Sequence, residues 1–339
     1  MKIDEFIVKP YSVPFLTPMK NSGTTYTHRE GVWLQLMRGN KYGYGEAAPL
    51  PNFSSETLKE VYYALESFHQ AIDGELMEKD EFFSLIDVHS QEVPSAKFAI
   101  ETALYDLFSK EEDKPLFQYI NPNANGEISI NGIAGVHTPE DNYKVIKVKV
   151  GFNNIFDEIE RLELLKESFG NDILFRLDAN GAFDLPRAIR FCKEMEAFHI
   201  DYIEQPLPHD ALIDLAELCY HTNIPIAVDE SLTNFRSAER IIEEQAAQIF
   251  IIKPMVSGGF SETKKIINLA KKENIRTVVT SSLETAIGRM ACLHLVAANE
   301  IKETCGLATG ELLSEKIKTP NIKNSIIKLP SISGLGLSL

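Results

Sequence analysis

Between residues 145 and 253, five short apolar runs each carry, at or near their ends, charges that packing alone does not ask for. Val145–Val150 holds Lys147 and Lys149, Leu174–Asp178 and Asp201–Glu204 each end in an acid, Ile226–Glu230 closes on Asp229 and Glu230, and Ile249–Lys253 closes on a lysine. Short, mostly apolar runs of this kind, rich in β-branched residues, read as buried parallel strands. Counting two further runs near residues 277 and 303, successive runs start 23 to 28 residues apart, which leaves room for one strand, one helix and two short loops. Helix signals fill the gaps: a stripe of Ile155, Phe156, Ile159, Leu162 and Leu165, a start at Asp184 and Pro186, and Ser261 as a cap. Charges at the ends of parallel strands converge on one face, where such folds place their chemistry.

With a run at about residues 128–134 the count reaches eight strands, that of a TIM-like barrel. One link is irregular, because His137 to Val145 is too short for a crossover helix. An open doubly wound sheet competes, but it expects a Gly-rich phosphate turn after its first strand, and none is present. Upstream, a strand from Lys2 to about Tyr11 and a hairpin turning at Gly39-Asn40 precede a helix capped by Ser55 and an acidic helix to about Val88. That order is α+β. The chain thus divides into an α+β domain over residues 1–95, a barrel over 96–315 and a C-terminal segment, 316–339, returning to the first domain. Residues 18–27, polar and without apolar period, read as a mobile loop that closes over the site as a lid.

A net charge of −15 and a pI near 5.1 weigh against a nucleic-acid partner, which needs clustered Lys and Arg. No stretch approaches the roughly 20 apolar residues of a membrane span, and the first residues lack the apolar core of a signal peptide. A cytoplasmic protein with four reduced cysteines is expected.

Asp178, Glu204 and Asp229 lie 26 and 25 residues apart, on three successive strands, and can meet at one point of a barrel mouth. Three carboxylates so placed repel unless a cation sits between them. Oxygen-only ligands select a hard ion, Mg2+ before Mn2+, and no His stands in these motifs to favour zinc. The period of two puts Lys147 and Lys149 on one face of their strand, where mutual repulsion lowers the pKa of at least one and makes it a general base. Lys253 can stand on the far side of the acids. A divalent ion facing lysines points to removal of a proton next to the carboxylate of a small molecule.

Taken together, Lys147-Val-Lys149, Asp178-Ala-Asn180, Glu204-Gln-Pro206, Asp229-Glu-Ser231 and Lys253-Pro254 resemble the enolase superfamily, in its muconate-lactonizing-enzyme-like subgroup. The resemblance implies an α/β fold, a modified TIM barrel (β/α)7β under an N-terminal α+β capping domain. It implies Mg2+ on Asp178, Glu204 and Asp229, Lys149 as base, Lys253 opposite, and Lys147, Arg176, Asn180 and Glu230 as groups that orient them. Gly45 to Glu56, with Asn52 where Gly is expected, is similar to the o-succinylbenzoate synthase family, and Ser281 and Ser282 are similar to that family's substrate-carboxylate segment. Dipeptide epimerases carry an Asp-x-Asp near the eighth strand; Cys305 to Glu311 has none. The implied activity is Mg2+-dependent syn-dehydration of 2-succinyl-6-hydroxy-2,4-cyclohexadiene-1-carboxylate to o-succinylbenzoate in menaquinone synthesis. An N-acylamino acid racemase or dipeptide epimerase using the same residues is the alternative, and a barrel that only binds is the remote one.

Overall fold

The first strands alternate: Val32, Leu34 and Leu36 are buried, while Trp33, Gln35 and Met37 between them are only half-buried. In the computed structural model, which describes residues 1–21, 24–51 and 53–338, β1 (Glu5–Asn21) and β2 (Thr24–Arg38) form a long antiparallel ribbon, and β3 (Lys41–Ala47) returns along β2. The turn between β2 and β3 uses Gly39 at φ +57°. Helices α1 (Leu58–Ile72), α2 (Lys79–His89) and α3 (Pro94–Glu111) follow, and α3 lies along β2 and β3. Its approach to β3 is close enough that a Cβ at Gly45 would stand 1.9 Å from the carbonyl oxygen of Ala99.

Residues 18–27 do not form the expected loop. The ladder continues through Met19 opposite Tyr26 and Lys20 opposite Thr25, beyond a register shift after Pro14. Alternation is absent there because the described side chains are mostly exposed, with only Met19 and Tyr26 half-buried, while the Thr-Tyr-Thr run still favours a strand. Ser22 and Gly23, at the centre of that expectation, and Asn52 lie outside the described residues. The α1 cap is Thr57 rather than Ser55, since Thr57 and Glu60 form a reciprocal capping box. Nor does the first unit end at residue 95: Ala99, Ala103 and Leu104 of α3 share a core with the ribbon, and Phe98 stacks on Phe260 of the barrel.

After α4 (Leu116–Ile120), strand β4 (Glu127–Ser129) is not part of the parallel sheet but of a two-stranded one, though its Ser129 carbonyl accepts the Cys305 N–H at 2.7 Å. Seven strands then form one parallel sheet in chain order: β5 (Gly132–Ile133), β6 (Val145–Lys149), β7 (Leu174–Asp178), β8 (Ile200–Glu204), β9 (Ile226–Val228), β10 (Ile249–Ile252) and β11 (Arg276–Val279). The outer helices are α5 (Ile155–Phe169), α6 (Leu185–Met195), α7 (Leu212–His221), α8 (Phe235–Glu243), α9 (Pro254–Ser257), α10 (Gly259–Lys272) and α11 (Ala286–Ala298). The short link after β5 holds a single 3-10 turn, Pro139–Asp141. Cys305 and Gly306 take the place of an eighth strand, bridging Ile130 on one side and Thr280 on the other, so the ring closes through two residues. Strand β12 (Ile326–Lys328) pairs with β4, and the tail beyond it returns to α3, where Leu335 donates its N–H to Asp106 at 2.7 Å.

Two barrel helices take their N-terminal partners from elsewhere in the chain. Ser261 does not cap α10; it sits in the first turn, and its N–H goes to Glu101 of α3 at 3.1 Å. For α11, Glu46 of β3 accepts from the N–H groups of Thr285 and Gly288, both at 2.8 Å, and Glu315 accepts from Ala286 at 2.8 Å. Both arrangements satisfy orphan donors of a helix start with a distant carboxylate. Among the described residues no helix is long and apolar enough to cross a membrane.

Candidate active site

Register brings the charged strand ends to one level. Lys149 pairs with Asp178 across β6 and β7, Asp178 with Glu204 across β7 and β8, and Asp229 follows directly on β9. All three acids are buried. The Lys147 ammonium lies 2.7 Å from Asp178 and 2.8 Å from Glu204, and Lys149 reaches the same Asp178 oxygen at 2.7 Å. Both lysines of the strand thus point into the barrel mouth, as the period of two requires. Lys253 donates to both oxygens of Asp229, at 2.6 Å to Oδ1, and lies 4.2 Å from the centroid of the Phe53 ring. Asn180, at φ +44°, accepts from Lys149 and donates to Glu230 at 2.8 Å, placing it between the two halves of the site.

The electrostatics follow from burial and these pairs. Burial pushes the Glu204 carboxyl up, and the charges of Asp178 and Asp229 add to the push, so that it reaches about 8. Burial also raises Asp178, but the ammoniums of Lys147 and Lys149 outweigh it and hold that acid below the usual carboxylate range. For Lys147 and Lys253, burial pulls downward and the acids more than reverse it, leaving both above the ordinary lysine value. The expected depression by lysine–lysine repulsion is therefore overturned at Lys147, where two carboxylates stand in direct contact.

Arg176 does not orient the lysines. It sits one layer deeper, 4.8 Å over the Tyr202 ring, and binds Asp201 at 2.8 Å, Asn131 at 3.2 Å and the Thr304 carbonyl at 2.6 Å. Ser281 gives its hydroxyl to Glu284, Glu284 accepts the Ser282 N–H at 2.8 Å, and Ser282 Oγ is buried without a partner. Gln205, which the sequence reading passed over, accepts the N–H groups of Asp229 and Ser231 at 3.0 and 3.2 Å and sits at φ +40°. Its signal was its place in Glu204-Gln-Pro206, next to an acid already singled out.

Beside these groups lies a cavity of about 330 Å3. Met19 and Tyr26 of the ribbon tip, Leu50 and Phe53 after β3, and Ile133, Val136, Leu283 and Leu312 make its wall largely apolar. Larger surface grooves exist, one of about 870 Å3 beside the C-terminal segment, but none brings the lysines and acids together.

Among the described residues no three His, Cys, Asp or Glu side chains stand together as a formed metal cage. The ammoniums of Lys147 and Lys253 take up the acids instead. The donor set still fits a hard divalent cation: its ligating atoms are all oxygens, Glu204 is pushed up to about 8 by burial and by its neighbours' charge, and Glu230 Oε2 is buried with no hydrogen-bond partner.

A family profile described as enolase C-terminal domain-like matches residues 135–339, and one described as MenC, N-terminal domain, matches residues 6–107. The chain is 30% identical to an L-amino acid-D/L-Glu epimerase of Francisella philomiragia, covering 97% of this chain and 96% of that one. It is 25% identical to an N-succinyl-L-Arg/Lys racemase of Bacillus cereus, covering 100% and 96%. Among solved structures, the dipeptide epimerase of Enterococcus faecalis complexed with Mg and the dipeptide L-Leu-L-Tyr superposes with a TM-score of 0.89 at 25% identity, covering 100% of both chains. The muconate lactonizing enzyme of Pseudomonas fluorescens superposes at 0.88 with 21% identity, covering 100% of this chain and 96% of that one, a likeness of fold alone.

Proposed function

The chain belongs to the enolase superfamily, in its muconate-lactonizing-enzyme-like subgroup, and on that premise we propose that it dehydrates 2-succinyl-6-hydroxy-2,4-cyclohexadiene-1-carboxylate to o-succinylbenzoate. The observation that carries this reading is the inequality of the two facing lysines. The Lys149 side chain is 49% exposed and can exchange its proton with solvent, whereas Lys253 is 14% exposed and clamped between Asp229 and the Phe53 ring. One is built to move a proton, the other to remain a cation.

In the proposed mechanism Asp178, Glu204 and Asp229 would hold Mg2+, and Asn180 and Glu230 would keep Lys149 and the acids aligned. When bound, the cation supplies Lewis-acid neutralisation of charge developing on the substrate carboxylate. Lys149 Nζ takes the proton α to that carboxylate, breaking the C–H bond, and Lys253 faces the resulting anion with its ammonium. The C–O bond on the same face then breaks, Lys149 returns its proton to the departing hydroxide, and water leaves the aromatic product. The apolar wall of Leu50, Phe53 and Leu283 keeps bulk water from the anion. Ser281 and Ser282 would take the succinyl end.

A racemase of N-succinylamino acids is the second reading, favoured by the names of relatives such as the Bacillus cereus enzyme. A dipeptide substrate is disfavoured, because its ammonium needs an acid and the wall from Gly306 to Thr309 carries none. The test is the loss of cyclohexadiene absorbance with Mg2+ and with excess chelator, run beside α-proton exchange of N-succinylamino acids in deuterated water. Fast chelator-sensitive dehydration that Lys149→Ala abolishes, with residual proton abstraction in Lys253→Ala, supports the synthase. Exchange of both enantiomers, each lost with a different lysine, overturns it in favour of the racemase.

A further inference from the structure

Arg29 is buried, 1% exposed, and spends every one of its five N–H donors on a backbone carbonyl. Nε donates to Leu283 at 3.0 Å, one terminal nitrogen to Glu30 at 3.2 Å and Pro49 at 3.0 Å, and the other to Ala48 and to Ser282 at 3.2 Å. Among the described residues its guanidinium makes no ion pair. A charge buried in this way without a carboxylate is costly to stability, which makes a purely structural purpose a poor account of it.

Four of the five carbonyls belong to two segments that run into the cavity wall, and the fifth, that of Glu30, is Arg29's own neighbour on β2. Arg29 itself lies on β2, three residues after Tyr26, whose hydroxyl donates to Pro51 at 2.6 Å. Ala48 and Pro49 open the segment that carries Leu50 and Phe53 into the cavity, and Ser282 and Leu283 belong to the loop after β11. Leu283 is held at φ +65°, a conformation that a branched side chain rarely adopts, with its carbonyl on Arg29 and its N–H on Ser281 Oγ at 2.9 Å.

We infer that Arg29 is a positioning residue, a clasp that sets the width of the substrate cavity by holding β2, the Ala48–Leu50 segment and the Ser282–Leu283 loop at fixed separation. The planar five-donor fork is what the task requires. A lysine has three donors on a single nitrogen and cannot reach carbonyls arrayed around a plane. Loosening the clasp acts on how well substrate is held and leaves Lys147, Lys149 and the three acids, which lie on other strands, where they are; of the site's lysines only Lys253, against the Phe53 ring, touches a clasped segment.

The inference rests on the cavity being the substrate site, so its test has one arm that needs no substrate. Arg29→Lys and Arg29→Ala are compared with the wild type for amide hydrogen exchange and for kinetics on whichever of the two substrate classes the wild type turns over. The expected result is faster exchange at the Ala48, Leu50 and Phe53 amides and at residues 281–284, with exchange in α5 to α8 unchanged. KM rises about tenfold or more while kcat falls less than about threefold. Millimolar guanidinium restores KM in Arg29→Ala, and methylammonium does not. Unchanged exchange in both segments, or a loss confined to kcat, overturns the inference. Should Arg29→Ala fail to fold, Arg29→Lys decides by the same criteria. Should the wild type turn over neither substrate, the functional reading fails and the exchange arm still decides on the clasp.

Discussion

The ammonium of Lys253 lies 4.2 Å from the centroid of the Phe53 ring, a contact between a barrel strand end and the segment that follows the ribbon. A desolvated cation over an aromatic face gains on the order of 1–2 kcal/mol. Phe53→Leu keeps the apolar wall and removes the ring's negative face, so kcat/KM is expected to fall about tenfold at an unchanged melting temperature. Phe53→Tyr should retain most of the activity. Steady-state kinetics of both variants, with thermal melts alongside, check this; equal activity in Phe53→Leu would mean that the ring merely fills space.

Gln205 holds the backbone of Asp229 and Ser231 from one side and donates to Ser231 Oγ at 2.8 Å from the other. Gln205→Ala strands these buried groups, at a cost of about 2–4 kcal/mol in stability. It also frees Asp229 to turn, and Mg2+ affinity should drop about tenfold or more. Urea unfolding and calorimetric titration read the two effects separately.

Two buried groups give stability opposite slopes with pH. His294 accepts the Phe117 N–H at 3.1 Å and faces the Leu335 carbonyl at 3.2 Å, and burial pushes it from 6.5 down to about 4. Its folded state stays neutral while the unfolded chain protonates, so stability is lost as pH falls from 6.5 towards 4, by up to about 3 kcal/mol. Glu101 is pushed by burial from 4.5 up to about 7, against the Ser261 N–H that favours its anion. Here the folded state keeps a proton that the unfolded chain releases, so stability is lost as pH rises from 4.5 to 7, by a similar amount. Urea midpoints from pH 4 to 8 should flatten on the acid side in His294→Gln and on the neutral side in Glu101→Gln.

Gly45→Ala places a methyl 1.9 Å from the Ala99 carbonyl oxygen, so α3 must lift from β3. The expected outcome is a loss of about 3 kcal/mol or more, read as a lower melting temperature and a lower soluble yield. Gly39→Ala, with nothing within 4 Å but φ +57°, should cost only about 1 kcal/mol.

The strand ends were legible because each interrupts an apolar run with a charge, and register then placed Lys149, Asp178 and Glu204 side by side. Arg176 misled because it shares its strand face with Asp178: a period of two says that a side chain points inward but not at which depth. The ribbon tip escaped notice because a strand whose described side chains are mostly exposed leaves little alternation to read. The carboxylates that start α10 and α11 were invisible, since Glu101 and Glu46 lie more than a hundred residues from the amides they receive. Arg29 gave no signal either, because its partners are carbonyls, which every residue has.

The start of α11 depends on Glu46, a residue of the capping sheet. The barrel's last helix is therefore finished in part by a side chain that the barrel does not encode, with Glu315 receiving the Ala286 amide. An exchange of capping domains between relatives transmits more than a lid: the incoming segment must bring an acceptor for the Thr285 and Gly288 amides, or the recipient barrel inherits a helix with an open end. A chimera joined between α3 and β5 is expected to keep an intact α11 only when its capping segment supplies an acceptor at residue 46.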